Sequence, residues 1–574
     1  MVDKGSTSRK RILILGLTFF GWFLINVFRL FYVQVLSNDK YKQKLTRQNE
    51  RVLEVSSERG TILDRNRRPL AMNADGYSFY LENRSVEESL KELARFQSLF
   101  SYTPSETKRL ESMIRQKRSF IWLKRKVSEE EKERAISLGF ENISYITEKR
   151  RLYPNRSLAC HILGAVDIDN KGVEGVERKA DEYLRGKSGR VLIHQDARRK
   201  VYEMQVLEPP RKGDGIILTI DSVIQHIAEK SLRKAVEEYH ADGGSVTVMS
   251  PFTGEILAMA SYPYFDPNER LSLNGATRSN KGVEFSYEPG STFKVVSSST
   301  LLELSQVKES EQIYCENGHF LYKGKVFTDT HPYGYLTLKE IMTHSSNIGI
   351  IKLALLLDKE KFYGYQKSFG IGESTGVELP GEAGGSLRRV DRWSGLTLPS
   401  MSIGYEVMVT PLQMLLVMNT VATGGWYVPP TILRNELPLK NKRTRYRVIS
   451  SETASRMKGF LASVVEEGTG KAGGVEGFLA GGKTGTARKL VGGHYSQQAY
   501  VSSFIGFIPL DKPLLSIAVV IDNPKGGVYY GGAVSAPVFQ EIASDTLTYL
   551  KIFPDPSAFA TPILAANRPE EVKR

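Results

Sequence analysis

Three short segments carry side chains that could run acyl-transfer chemistry: Ser291-Thr292-Phe293-Lys294, Ser345-Ser346-Asn347 and Lys483-Thr484-Gly485. Singly they mean little. Ser-x-x-Lys also begins at Ser37, Ser105, Ser231, Ser305 and Ser455, and Lys-Ser-Gly recurs at Lys187. Context sets Ser291 apart. Glu288-Pro289-Gly290 precedes it and a helix-compatible apolar run, Phe293–Leu304, follows, which predicts Ser291 at a helix N-terminus. Backbone N–H groups there are unpaired and can stabilise an oxyanion. Lys294 falls on the same helix face one turn on. A lysine that is desolvated or crowded by other cations can lose its proton. A serine hydroxyl needs such a base to become a nucleophile.

The elements that would position these groups can be read along the chain. Ile12–Phe28 carries no charge, and the apolar pattern resumes after Arg29 as Leu30–Leu36. At about 1.5 Å per residue, Ile12 to Leu36 is long enough to cross a hydrocarbon core of about 30 Å as one transmembrane helix, with Arg29 snorkelling to the interface. No small-residue cleavage site follows, so the segment reads as an uncleaved, single-pass anchor. Lys4, Arg9, Lys10 and Arg11 favour a cytoplasmic N-terminus, a bias reduced by Lys40, Lys42, Lys44 and Arg47 on the far side. A charged stretch to about residue 210 holds a strand-like Gly76–Leu81 and helical pieces at Glu87–Leu99 and Ser128–Ser137, with no catalytic constellation. Leu207–Gly215, rich in proline and glycine, reads as a linker.

Beyond it, Ile216–Ile220 reads as a strand and Ser222–Glu238 as a helix with apolar residues at Ile224, Ile227, Leu232 and Val236. Ser245–Ser250 and Glu255–Ser261 read as a hairpin about Pro251–Gly254. Ala499–Ile508 and Leu514–Ile521 read as strands, and Ala536–Leu550 as a helix. Strands at both ends with helices between predict a domain around a central, mainly antiparallel sheet, in a multidomain α+β chain. The 574 residues suit two to four domains. The two cysteines, Cys160 and Cys315, exclude a disulfide framework and a four-cysteine zinc site. A formal charge of +14 suits nucleic acid, an anionic membrane or an acidic polymer, but the charge lacks aromatic interleaving, which argues against nucleic acid.

The three segments, in this order, resemble the set found in penicillin-binding proteins and β-lactamases. The resemblance extends through Arg59-Gly60-Thr61-Ile62-Leu63-Asp64-Arg65-Asn66, Arg151-Leu152-Tyr153-Pro154, His161-Ile162-Leu163-Gly164 and Gly172-Val173-Glu174-Gly175-Val176-Glu177 to the N-terminal module of class B penicillin-binding proteins. It covers about residues 10–550. Within class B, Glu288-Pro289-Gly290-Ser291-Thr292, Ser402-Ile403-Gly404-Tyr405 and Val409-Thr410-Pro411-Leu412-Gln413 are most similar to the septal, FtsI-type enzymes of cell division. Arg67 and Glu406 depart from the pattern, standing where relatives usually carry glycine.

The resemblance implies a cytoplasmic tail at 1–11, the anchor at 12–36, a non-catalytic pedestal of the dimerisation type at 37–210, a serine β-lactamase-like transpeptidase domain at 211–552 and a tail at 553–574. It implies a peptidoglycan D,D-transpeptidase of the bacterial cytoplasmic membrane, with its catalytic domain extracytoplasmic. Ser291 would attack the D-Ala-D-Ala carbonyl of a stem peptide and Lys294 would take its proton. Ser345 would pass that proton to the leaving amine, and Asn347 would hold the substrate amide. Lys483 would supply positive potential. Thr484, Gly485 and Thr486 would line the substrate, the threonines binding its terminal carboxylate, and the N–H groups of Ser291 and Thr486 would form the oxyanion hole. No metal or cofactor is implied; β-lactams, stem peptides, a membrane-embedded SEDS glycan polymerase and division proteins are the implied partners.

Other readings compete. Gly477–Thr484 satisfies the P-loop pattern, but its glycine-rich flanks do not support strand–loop–helix. An elongation-type transpeptidase, a β-lactamase or β-lactam sensor on the same fold, and a non-catalytic scaffold are the alternatives. Cys315 and His319 have ligand-like spacing without further partners, Asp329-Thr330-His331 reads as a surface turn, with a loop near the active site as the alternative, and Cys160 beside His161 reads as core.

Overall fold

The computed structural model describes residues 4–40, 50–55, 57–195, 201–269, 275–434, 438–439 and 444–554. Lys42, Lys44, Arg47 and most of the predicted C-terminal tail lie outside them. The chain forms two compact units, residues 1–59 with 185–213, and residues 60–184 with 214–574.

In the first unit, a helix over Lys4–Phe31 runs into a π-helical turn over Tyr32–Leu36. The stretch Arg9–Leu36 has none of its apolar window buried, and among the described residues it is the one helix long and apolar enough to cross a membrane. Its polar side chains turn back on the helix. The Thr18 hydroxyl donates to the Ile14 carbonyl at 2.7 Å and the Asn26 amide to the Trp22 carbonyl at 2.8 Å, which satisfies donors that lipid could not. A three-stranded antiparallel sheet of Glu50–Val55, Gly189–Gln195 and Val201–Glu208 completes this unit. The predicted linker therefore begins inside a strand, which Pro209-Pro210 terminates.

The second unit is built on a five-stranded antiparallel sheet in the order Ile256–Tyr262, Gly243–Met249, Leu515–Asp522, His494–Ile508, Gly481–Val491. Successive side chains of a strand point to opposite faces, and here both faces are buried. Ala518 and Val520 join a core with the wholly buried helix Pro411–Ala422, whereas Ile517, Val519 and Ile521 join another with the helices Ser222–Glu238 and Ala536–Tyr549. That explains why these strands read as continuous apolar runs. Asp221 starts the helix Ser222–Glu238 by accepting from the N–H groups of Val223 and Ile224.

Residues 60–184 contain a long strand, Pro69–Glu82, flanked by Phe120–Val127 and Ile143–Leu152. The segments of the resemblance that carry no chemistry meet here. Arg151 donates from Nε to Glu177 at 2.6 Å and from a terminal nitrogen to the Gly60 carbonyl at 2.8 Å, so three motifs close on one buried ion pair. Asp64 accepts from the Ser222 hydroxyl at 2.6 Å, and Asn66 donates to Asp221 at 2.9 Å. Arg67 and Glu406 have φ of 63° and 60°, the left-handed backbone that glycine adopts freely. The Arg151 and Glu177 side chains are 1% and 0% exposed. Glu177→Ala leaves the guanidinium buried without its carboxylate, an expected cost of about 3–5 kcal/mol. A lowered thermal midpoint of the full chain in detergent checks it; an unchanged midpoint contradicts it.

Candidate active site

Ser291 sits on a 3-10 turn, Gly290–Phe293, that leads directly into the helix Lys294–Glu303. Gly290 has φ 56°, and its N–H donates to the Gly404 carbonyl at 3.1 Å. The Thr292 hydroxyl closes the turn on the Pro289 carbonyl at 2.9 Å. Ser291 is half-buried, while Lys294, one turn on, is 0% exposed.

Ser345 terminates the helix Leu338–His344 in left-handed backbone, φ 59°. Ser346 then caps the helix Asn347–Ala354, its hydroxyl accepting from the Gly349 N–H. This reversal brings Ser345 and Asn347 onto Lys294. The Lys294 ammonium donates to the Ser345 carbonyl at 2.6 Å and the Asn347 side-chain oxygen at 2.8 Å, with the Ser345 hydroxyl at 3.4 Å. These bonds do not include the Ser291 hydroxyl; catalytic contacts are often longer without substrate. From the opposite side, Lys483 donates to the Ser345 hydroxyl at 3.0 Å. One hydroxyl thus lies between two buried lysines.

Lys483 and its neighbours occupy Gly481–Val491, an edge strand of the main sheet. An edge strand has one row of backbone groups free to pair with an extended ligand. Gly485 is where the turn carrying Ser291 rests on this strand: a Cβ there would lie 2.9 Å from the Pro289 carbonyl oxygen and 3.0 Å from the Thr292 methyl. The Thr484 hydroxyl is shared with Thr469 at 2.9 Å, and the half-buried Thr486 accepts from the Gly531 N–H at 2.9 Å. The P-loop reading is excluded by this geometry, because Lys483 and Thr484 lie within a strand rather than on a loop opening a helix.

Burial depresses both lysines. It lowers Lys294 to about 7, opposed in part by the charge of Asp329. It lowers Lys483 well below the usual lysine value, and the neighbouring Lys294 charge lowers it further. Two ammonium groups sharing one hydroxyl disfavour double protonation, so this site favours a neutral amine at ordinary pH.

Asp329 lies in the site: the surface turn read for Asp329-Thr330-His331 is corrected, and the alternative, a loop near the active site, is the one its contacts match. It follows the strand Lys325–Thr328. Its carboxylate accepts from the Asn347 and Ile348 N–H groups and from the Ser346 hydroxyl at 2.6 Å, while the Thr328 carbonyl takes the Asn347 amide at 2.9 Å. A carboxylate at a helix N-terminus is a signal in principle, but the helix lies 18 residues away in sequence. Asp329→Ala is expected to lower the acylation rate about tenfold or more, through misplacement of Asn347. It also removes the charge that raises Lys294, so the midpoint of the rate's pH profile moves down. An unchanged profile contradicts this role.

Cys315 is buried beside Ser346, whose hydroxyl lies 3.6 Å from its sulfur, and His319 is exposed on a separate strand. Cys160 and His161 are core, as read; burial lowers His161 to about 4.

A serine on the turn that leads into a helix, a desolvated lysine at the start of that helix, a hydroxyl shared with a second lysine and an open edge strand define a serine acyltransferase. The family model of the penicillin binding protein transpeptidase domain matches residues 244–544, and that of the penicillin-binding protein dimerisation domain residues 54–218. The chain is 34% identical to stage V sporulation protein D of Bacillus subtilis, covering 96% of this chain and 87% of that protein. It is 31% identical to the peptidoglycan D,D-transpeptidase FtsI of Escherichia coli, covering 92% and 90%. Penicillin binding protein 3 of Mycobacterium tuberculosis, solved with aztreonam, superposes with a TM-score of 0.68 at 27% identity, over 88% of this chain and 98% of that one. The chain belongs to the class B penicillin-binding proteins, the peptidoglycan D,D-transpeptidases.

Proposed function

We propose that this enzyme cross-links stem peptides through an acyl-enzyme on Ser291, in septal wall synthesis, and that β-lactams inhibit it by acylating the same hydroxyl. The observation that carries the reading is the Ser345 hydroxyl held between Lys294 and Lys483 beside the nucleophile's helix. Neutral Lys294 takes the Ser291 proton as the oxygen bonds to the D-Ala-D-Ala carbonyl. The N–H groups of Ser291 and Thr486 receive the oxyanion, each donor of this kind contributing about 3–4 kcal/mol. As the carbon–nitrogen bond breaks, the proton passes from Lys294 through Ser345 to the departing D-alanine amine. An acceptor amine then attacks the ester, its proton returns by the same route, and Ser291 is reprotonated. Lys483, charged when a carboxylate approaches, and the hydroxyls of Thr484 and Thr486 bind the terminal carboxylate along the edge strand.

The Lys4–Leu36 helix would anchor the chain with its N-terminus in the cytoplasm and the catalytic domain outside. Residues 37–210 would form a pedestal that docks a SEDS glycan polymerase and division proteins. Incubation with a fluorescent penicillin separates transpeptidase from hydrolase: a label that persists for hours is expected, and rapid release with drug turnover would move the reading to a β-lactamase. For the septal role, a fluorescent fusion is expected to gather at the division site, with filaments on depletion. Even lateral distribution would favour elongation. The likeness to stage V sporulation protein D favours one further reading, the same reaction during sporulation; accumulation restricted to sporulating cells would support it.

A further inference from the structure

A cavity of about 760 Å³ lies in the second unit, with no residue of the Ser291 site in its lining, between the strands Phe120–Val127 and Ile143–Leu152 and the segment Pro267–Glu269. Its lining is cationic and aromatic. Arg125 and Arg151 are committed to Glu148 and Glu177. Among the described residues, Arg109, Arg118 and Arg150 have no carboxylate partner, and the buried Nε of Arg150 has no hydrogen-bond partner. Lys126 donates to the neutral Asn170 amide oxygen at 2.9 Å and also feels the charges of Glu148, Asp169 and Asp167. The carboxylates at the rim are Asp167 and Glu269; Asp167 already accepts from the Asp169 and Lys171 N–H groups. Phe120 is 47% exposed, and its ring meets Trp122 edge-on at 4.9 Å.

We propose that this cavity binds uncross-linked peptidoglycan itself, a glycan whose rings rest on Phe120 and Trp122 while its stem-peptide carboxylates pair with Arg109, Arg118 and Arg150. The shape decides against two other anionic partners. A protein interface needs about 800 Å² of matched surface per partner, and a lipid surface needs an exposed basic face. A concave site of a few hundred Å³ with aromatic walls and a few cationic donors suits a molecule the size of a disaccharide-peptide. Arginine forks match carboxylates, and flat aromatic rings match sugar faces. On the transpeptidase reading proposed above, a strand tethered here would raise the local concentration of stem peptides at the catalytic site.

The test uses the full chain in detergent, first acylated with benzylpenicillin so that the catalytic site is blocked. Binding of purified disaccharide-pentapeptide oligomers is measured by calorimetry for wild type, Arg109→Ala/Arg118→Ala and Phe120→Ala, all exposed positions. Saturable binding is expected, weakened about tenfold or more by the arginine pair and by added salt, and absent for chitin oligosaccharides, which lack the carboxylates. Penicillin labelling should proceed at the wild-type rate in both variants, which reports folding and tests the catalytic reading separately. Equal binding by wild type and the arginine variant overturns the proposal. So does equal binding of chitin oligosaccharides, or preferential binding of poly-glutamate or of anionic phospholipid vesicles.

Discussion

Lys294→Ala is expected to slow acylation of Ser291 by on the order of 10⁴-fold or more, the scale seen when a nucleophile loses its base. Lys294 is wholly buried and its amine is lowered to about 7, chiefly by desolvation. The reactive form is the neutral amine. Below about pH 7 the group is protonated and cannot accept from Ser291, so the wild-type acylation rate rises with pH and is half-maximal near 7. Above that the rate levels. Lys294→Arg should not rescue it, because arginine stays charged at any accessible pH. Stopped-flow acylation by a chromogenic β-lactam from pH 5.5 to 9 reads both effects. A flat profile, or full activity in Lys294→Arg, contradicts assignment of this lysine as base.

Gly404→Ala is expected to be nearly as damaging, although residue 404 touches no substrate. A Cβ there would stand 2.2 Å from the Gly290 oxygen, 2.6 Å from its nitrogen and 2.8 Å from its carbonyl carbon, and the backbone φ is +82°. All three obstructing atoms are main chain, so no side chain can swing aside. Relief must come from moving the Gly290–Phe293 turn, which carries Ser291. Left-handed strain alone costs about 1–3 kcal/mol, and a displacement of about 1 Å at a nucleophile can cost about 100-fold in rate. Gly459→Ala is the control. It lies in the helix Ser451–Glu466 with nothing within 4 Å of a new Cβ, so it should leave acylation unchanged and stabilise the chain by up to about 1 kcal/mol. Equal acylation rates for the two variants would sink the steric account.

Local signals were legible where local physics decides. The helix Ser222–Glu238 falls on its predicted bounds because its cap and apolar spacing lie within one segment. The hairpin of Gly243–Met249 and Ile256–Tyr262 follows from its turn residues. The predicted strand at Ile216–Ile220 shrinks to Ile216–Ile217, beyond which the chain bridges from Leu218 to Leu433 across the fold. Gly76–Leu81 marks only part of the strand Pro69–Glu82, since Met72–Ala74 are half-exposed and Asp75 is exposed, which breaks the alternation. The chemistry-bearing residues were legible as types. Their environment was not. Nothing in a linear sequence says that Lys294 and Lys483 are wholly buried, because burial of a lysine is set by the tertiary packing around it. Asp329 was legible only as part of a segment that could form a loop near the site; its role exists only once the strand Lys325–Thr328 is laid against the helix Asn347–Ala354.

Ser291, and no other group in this site, is expected to become the acyl carrier. The most direct measurement is peptide mapping by mass spectrometry after a short exposure to penicillin, for wild type beside Ser291→Ala. A single adduct on the peptide containing Ser291, absent from the folded variant, is the result the geometry predicts. An adduct on Ser345 or Cys315, or one that persists in Ser291→Ala, would contradict it.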